Sequence, residues 1–308
     1  MKKRVSMLLV LSLIMGIIGI GAYPDGDKLS RADKSQTAGS EATAETTATP
    51  DVVTTATPEP VATENPEKAR QKVIDKGKWK IKKKNVYYYD GNGKKVKGFV
   101  KIKKKYYYFD KNGIQRTGWR KIKGKYYFFK LKNKSDGYMV KNKKVNRVKL
   151  DKNGAAKTKK KWIRQKLALM VKCQNIVNKI TNSQMTTMQK MKKSYDWERK
   201  NFYIKGSHKF HASAHWDLVY AKRMMKDSHG ACFEWGALYA YLANAAGAKK
   251  CYSVSSGGHG WSEVEGKVCD PDWEFANPSN SYFMLDYDLS GTGGRPNYKR
   301  YRGYLRRI

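Results

Sequence analysis

The chain has 308 residues and carries 64 Lys+Arg against 26 Asp+Glu, a formal charge of +38. That length allows two domains of ordinary size. Its 4 Cys exclude a disulfide-framework protein. The lack of an apolar run beyond the first 25 residues excludes a multi-span membrane protein.

Residues 1–22 predict an export signal. Met1-Lys2-Lys3-Arg4 is a positive start, Val5 to Ile20 is an apolar core, and Gly21-Ala22 supplies small residues for cleavage. An uncleaved N-terminal anchor is the other reading of the same segment. Either way the remainder lies outside the cytoplasmic membrane, and after cleavage no stable membrane insertion is expected. Nucleic acid is then not an expected partner, despite the charge. Wall polymers and other extracellular polyanions fit better.

Residues 23–77 predict a disordered spacer. Thr46-Thr47-Ala48-Thr49-Pro50 and Thr54-Thr55-Ala56-Thr57-Pro58 are typical of it. Such composition cannot bury enough apolar surface to offset chain entropy.

Residues 78–160 contain an internal repeat. Trp79, Phe99 and Trp119 are 20 apart, as are the clusters Tyr87-Tyr88-Tyr89, Tyr107-Tyr108-Phe109 and Tyr127-Phe128-Phe129. Asn92-Gly93 and Asn112-Gly113 keep that spacing and read as hairpin turns. Leu150-Asp151-Lys152-Asn153-Gly154 echoes the pattern later. A short strand–turn–strand period predicts stacked β-hairpins, each too small to be stable alone. This stretch holds 30 Lys+Arg against 4 Asp+Glu, a net of +26. Residues 161–308 hold 24 against 12, a net of +12. Alternation places lysines on one strand face and rings on the other. The near absence of acids favours an anion-binding surface over a merely solvated one.

Gly118-Trp119-Arg120-Lys121-Ile122-Lys123-Gly124-Lys125-Tyr126-Tyr127-Phe128-Phe129 resembles the cell-wall-binding repeats of the choline-binding and glucan-binding group. Gly98 to Phe109 fits the same frame, with Phe99 in place of Trp. The resemblance implies aromatic cages or platforms between hairpins, with Trp79, Tyr88, Phe99, Tyr107, Trp119 and Tyr127 as the candidate ligand-binding rings. Lysine density beside them would repel a cationic ligand such as choline. Wall glycan or an anionic wall polymer is therefore the expected partner.

Residues 161–308 are long enough for one core. Helical spacing of Ile163, Leu167, Met170, Val177 and Ile180 predicts a first helix. Met188, Met191 and Tyr195 predict a second, which Thr181 or Ser183 would cap. A third runs from Ala214 to Met225, and a buried fourth from Ser228 to an end at Gly247. Strands follow at Tyr252 to Ser255, Trp261 to Glu265 and Lys267 to Asp270, turning at Gly266. Helices followed by strands predict an α+β domain. Cys251 and Cys269 fall two strands apart, about 9.6 Å, too far for a disulfide.

Cys232 stands at the first turn of the buried helix, where partial positive charge stabilises a sulfur anion. His259 lies among Gly257, Gly258 and Gly260, and Asp270 follows across a hairpin turn. Together they form a nucleophile, a base and an orienting acid. A small buried hydrophobe is the competing reading for a free Cys. His208, His211 and His215 have metal-like spacing, but no other ligand-type residue except Asp217 is close. No metal and no cofactor are expected.

Gly230-Ala231-Cys232, then His259-Gly260-Trp261-Ser262-Glu263-Val264-Glu265-Gly266, then Asp270-Pro271 resemble the bacterial transglutaminase-like superfamily, in family order. Tyr195-Asp196-Trp197 with Asn201-Phe202-Tyr203 resembles the segment preceding the nucleophile. The resemblance implies a papain-like core with helices on an antiparallel sheet, and a triad of Cys232, His259 and Asp270. Asp272 is the near rival for the third role. It further implies a thioester pathway on peptide or protein carboxamides, ending in hydrolysis (peptidase, amidase) or in transfer to an amine. A non-catalytic wall-binding or structural module on a degenerate enzyme fold is the alternative. Iodoacetamide reactivity at neutral pH separates the two.

Overall fold

The computed structural model describes residues 65–308. The signal at 1–22 and the spacer as far as residue 64 lie outside them. Within the described residues the chain is mixed α and β. Helix α1 (Pro66–Asp75) comes first. Three hairpins follow: β1 (Lys78–Lys82) with β2 (Asn85–Tyr89), β3 (Gly98–Ile102) with β4 (Lys105–Phe109), and β5 (Gly118–Ile122) with β6 (Lys125–Phe129). A shorter pair is β7 (Lys144–Val145) with β8 (Val148–Lys149).

Helix α1 corrects the reading of residues 66–77 as disordered spacer. Pro66 opens the helix, and the Asn65 side chain accepts from the Glu67 N–H at 2.9 Å. Ile74 then joins a cluster with Tyr88, Val96, Ile102, Tyr107 and Phe109. An end hairpin of a stack leaves one apolar face open, and this helix covers it. The one buried apolar residue of the helix, Ile74, is diluted in a window dominated by the polar segment before it.

The repeat also turns in different places from those predicted. Its hairpin turns are Lys83-Lys84, Lys103-Lys104 and Lys123-Gly124, with Lys83, Lys84, Lys103, Lys123 and Gly124 at positive φ. The Asn-Gly pairs lie half a period away, in the connections between hairpins. There Asp90 Oδ1 accepts from the N–H groups of Asn92 and Lys94, at 3.1 and 2.8 Å. Asp110 and Asp151 repeat this clasp. Asn-Gly at positive φ is a hairpin signal, but here an aspartate two residues upstream closes a local turn instead.

Helices α2 (Lys161–Ile180), α3 (Thr187–Asn201) and α4 (Trp216–Asp227) surround the long α5 (Cys232–Ala246). The α3 cap is Thr186, in a reciprocal box with Gln189, and not Thr181 or Ser183. A two-residue parallel pair, β9 (Tyr203–Ile204) with β10 (His229–Gly230), precedes α5. An antiparallel sheet of order β13-β12-β11-β14 packs on it, formed by β11 (Cys251–Ser255), β12 (Gly260–Val264), β13 (Lys267–Cys269) and β14 (Tyr304–Arg307). The short helix α6 (Pro271–Ala276) follows β13. Both α6 and β14 are additions to the sequence reading. Cys251 and Cys269 sit on β11 and β13 with β12 between them, and all four cysteines are free thiols.

The boundary at 160/161 is not a break in packing. Trp119, Tyr126, Val148 and Leu150 belong to the same buried cluster as Leu167, Met170 and the residues of α5. Helix α5 is apolar on every side, which suits a central position. The described residues, 65–308, fall within one compact unit. Among the described residues no helix is long and apolar enough to cross a membrane.

Candidate functional site

Two glycines let α5 meet the sheet. A Cβ on Gly236 would lie 2.6 Å from the Trp261 backbone, and one on Gly260 would lie 2.8 Å from Cα of Phe233. Ser262 Oγ donates to the Gly236 carbonyl at 2.6 Å and ties the two elements together. This close approach puts the first residue of α5, Cys232, beside the residue just before β12, His259. The turn before His259 is clasped by Ser256 Oγ, which accepts from the His259 N–H at 2.8 Å.

His259 Nε2 meets Asp270 Oδ2 at 2.6 Å. Asp270 is fully buried and caps α6. Its Oδ1 accepts from the Trp273 N–H at 3.0 Å, and its Oδ2 accepts from the Tyr298 hydroxyl at 2.8 Å. Three donors thus converge on this buried carboxylate and fix it in place. Burial works against charge on His259, but Asp270 and then the Cys232 side chain outweigh it, raising the ring well above the usual histidine range. With Nε2 on Asp270, the ring's other nitrogen is left for the thiol. Trp261 stacks on the imidazole at 6.0 Å, and Trp273 meets it edge-on at 5.4 Å.

Asp272, the rival third residue, takes a different place. Donor atoms of Cys232, His259 and Asp272 all lie within 4.8 Å of one another. This is the one set of such donors among the described residues close enough for a cation to bridge. Burial pushes the Asp272 carboxyl up to about 7, Asp270 adds to this and His259 opposes it. Its Oδ1 is buried without a hydrogen-bond partner. Asp270 orients the ring, whereas Asp272 borders the sulfur side.

Behind the nucleophile, Glu234 is fully buried. It accepts from the Ala231 N–H at 3.2 Å and from Arg223 at 2.9 Å, and meets His208 at 3.3 Å. This network holds the start of α5. The three histidines of metal-like spacing do not gather. His208 serves Glu234, and His215 stacks on Trp162 at 4.3 Å.

Sequence reasoning missed Tyr298 and the Trp273 N–H. Asp270 followed by Pro271 does signal a helix cap, which would have found the second. Nothing periodic surrounds Tyr298.

The candidate rings of the repeats divide. Tyr88, Tyr107 and Trp119 are 2–3% exposed and belong to the core, so their assignment as ligand-binding rings is corrected. Their polar atoms bond inward, to the Ile74 carbonyl, the Ser135 carbonyl and Asn146. Trp79 packs half-buried against Tyr88 and Tyr107. Phe99 remains open, stacked on Tyr106 at 5.3 Å and facing Tyr127 at 5.5 Å. Tyr106 was not among the candidates. A groove of about 560 Å³ runs beside Phe99 and Tyr106, walled on one side by Arg70 and Gln71 of α1. Lysines already cover several ring faces: Lys141 lies 4.7 Å from the Tyr106 centroid, and Lys130 lies 4.0 Å from that of Tyr138.

Residues 96–143 match the family described as the choline-binding repeat. The expectation of cell-wall-binding repeats therefore holds for this stretch. Similar solved structures include choline binding protein F from Streptococcus pneumoniae, at 27% identity and a TM-score of 0.24, covering 26% of each chain. The multimodular pneumococcal cell wall endolysin from phage Cp-1, complexed with choline, shows 30% identity and a TM-score of 0.23, over 27% of this chain and 25% of that one. A truncated alternansucrase from Leuconostoc mesenteroides shows 31% identity and a TM-score of 0.22, over 27% and 7%. The chain thus spans about a quarter of the first two of these structures and less of the third. A search of curated proteins returns no match.

Proposed function

We propose that this chain is an exported, wall-attached cysteine enzyme of the transglutaminase-like type, with a papain-like catalytic domain at 161–308 held to the wall by its choline-binding repeats. One observation carries the catalytic part: the Cys232 sulfur lies at a helix start beside His259, whose far nitrogen is held by buried Asp270 at 2.6 Å. Cys232 attacks a carboxamide carbonyl, and its proton rests on His259. Asp270 holds the ring and stabilises its positive form. The Cys232 N–H, at the first turn of α5, donates to the oxyanion. His259 returns the proton to the leaving amine and a thioester forms. Water then gives hydrolysis, and an amine gives transfer. Cys232→Ala tests this reading. It should abolish both thiol-probe labelling at neutral pH and acyl transfer, and survival of both rejects it.

The repeats attach the chain to a glycan or anionic wall polymer. The groove beside Phe99 and Tyr106 suits a sugar ring, and the Lys141 ammonium already over Tyr106 disfavours a second cation there. Several weak sites on one polymer raise the effective concentration of the enzyme. A second reading, a wall-binding module without catalysis, is favoured by the family match falling wholly inside the repeats. Product analysis of wall peptides, with and without added amine, separates hydrolase, transferase and inert module.

A further inference from the structure

A pocket of about 380 Å³ lies between the third hairpin and helix α2, and its charges do not balance. Arg120 of β5 is 6% exposed. Its Nη1 donates to Asn175 Oδ1 at 2.6 Å and its Nη2 to the Thr117 carbonyl at 2.8 Å, both neutral partners. Its Nε is buried with no partner. Asn178 lines the same pocket, and its Nδ2 is likewise buried and unpartnered. Lys121 and Lys179 stand at the rim.

The one carboxylate in the pocket is already committed. Asp110 receives Arg116 through Nε at 2.8 Å and Nη2 at 2.7 Å, while its other oxygen clasps the turn. Arg120 thus lacks a counter-charge of its own. Burial pushes it down to about 10, and Arg116 adds to that fall. A buried guanidinium beside a second one is costly unless an anion joins them. Two orphan donors and four cationic side chains around one cavity suit a compact, multivalent oxyanion.

We propose that this pocket is an oxyanion site that takes a phosphate group, either as the free ion or as a phosphodiester within a polymer. The site rests on its own geometry and is independent of the catalytic reading. Because β5 lies on one side and α2 on the other, its occupant would join the repeats to the helical region. Occupancy should therefore raise the stability of the whole compact unit.

The test uses the full chain in thermal unfolding and in calorimetric titration, with ionic strength held constant by sodium chloride. The probes are sodium phosphate and bis-glycerol phosphodiester. Phosphate should raise Tm saturably above the chloride control. Lys121→Gln/Lys179→Gln, at exposed positions that leave the fold intact, should weaken phosphate binding about tenfold. Asn178→Asp replaces the orphan donor with an acceptor charge. It should remove phosphate binding and raise Tm without phosphate, because Arg120 then gains an internal partner. A response to phosphate alone assigns the site to the free ion, and a response to both probes assigns it to a polymer. No rise over chloride with either probe overturns the proposal. So does a rise that is the same in the wild type and both variants.

Discussion

The repeats and the candidate catalytic site are built over different distances along the chain. In the repeats, each hairpin pairs residues fewer than about a dozen apart, and Asp90, Asp110 and Asp151 each close a turn on their own next few residues. At the site, Cys232, His259, Asp270 and Tyr298 come from four separate elements or loops, and their meeting depends on α5 seating against β12. Local structure is legible as periodicity. A site made by packing is legible only where its residue types already suggest chemistry. The repeats therefore tolerate imprecise copies, such as Phe99 for Trp, while the site depends on single atoms.

Changes that separate the two regions test this contrast. Cys232→Ala should have the largest effect, a loss of acyl transfer of roughly 10³-fold or more, while wall binding by the repeats stays unchanged in a pull-down on purified walls. Trp119→Ala comes next. It opens a cavity where β5 meets α2, at a cost of about 3–5 kcal/mol. Because the buried cluster is continuous, chemical unfolding should show one transition shifted as a whole. Two transitions, with only one moved, would show that the repeats and the helical region fold separately.

Tyr298→Phe removes one of the donors to Asp270, at a cost of about 1.5–3 kcal/mol for a hydrogen bond to a charged group. The expected result is a fall in kcat of roughly tenfold or more with KM little changed, together with an acid limb displaced in the pH profile. Asp272→Asn works through protonation. The Asp272 carboxyl ionises near pH 7 when folded and near 3.8 when unfolded. Between those values the folded chain holds a proton that the unfolded chain has lost, so stability falls as pH rises. The Asn variant lacks this fall. It should match the wild type near pH 4 and exceed its stability by about 1 kcal/mol or more at pH 8, as read by urea denaturation at each pH. Asp90→Ala should have the smallest effect. It removes two exposed turn bonds, worth roughly 0.5 kcal/mol each, and should speed amide exchange only around Asn92 to Lys94.

The order of α2 to α5 and of β11 to β13, the apolar character of α5 and the ring-bearing period of the repeats were present in the sequence, because burial forces spacing on apolar side chains. Cys232, His259 and Asp270 were legible because few residue types carry that chemistry and all three lay next to recognisable turns. The Lys-Lys turns were not legible. Lysine has no preference for positive φ, and it turns there only because the flanking strands pair. Helix α1 was hidden because its stabilising partner, the open face of the first hairpin, exists only after the repeats have stacked.

By itself, then, the sequence determined the four long helices from 161 onward, the hairpin period of the repeats and a short set of candidate side chains, Cys232, His259 and the Asp270/Asp272 pair. Tertiary structure alone decided that Tyr88, Tyr107 and Trp119 are core while Phe99 is surface, that Asp270 and not Asp272 holds His259, and that Tyr298 reaches back to the carboxylate. The physical reason is one of range. Backbone pairing and apolar periodicity act between near neighbours in the chain, whereas burial and the partner of a buried charge depend on residues that only the finished packing brings within reach.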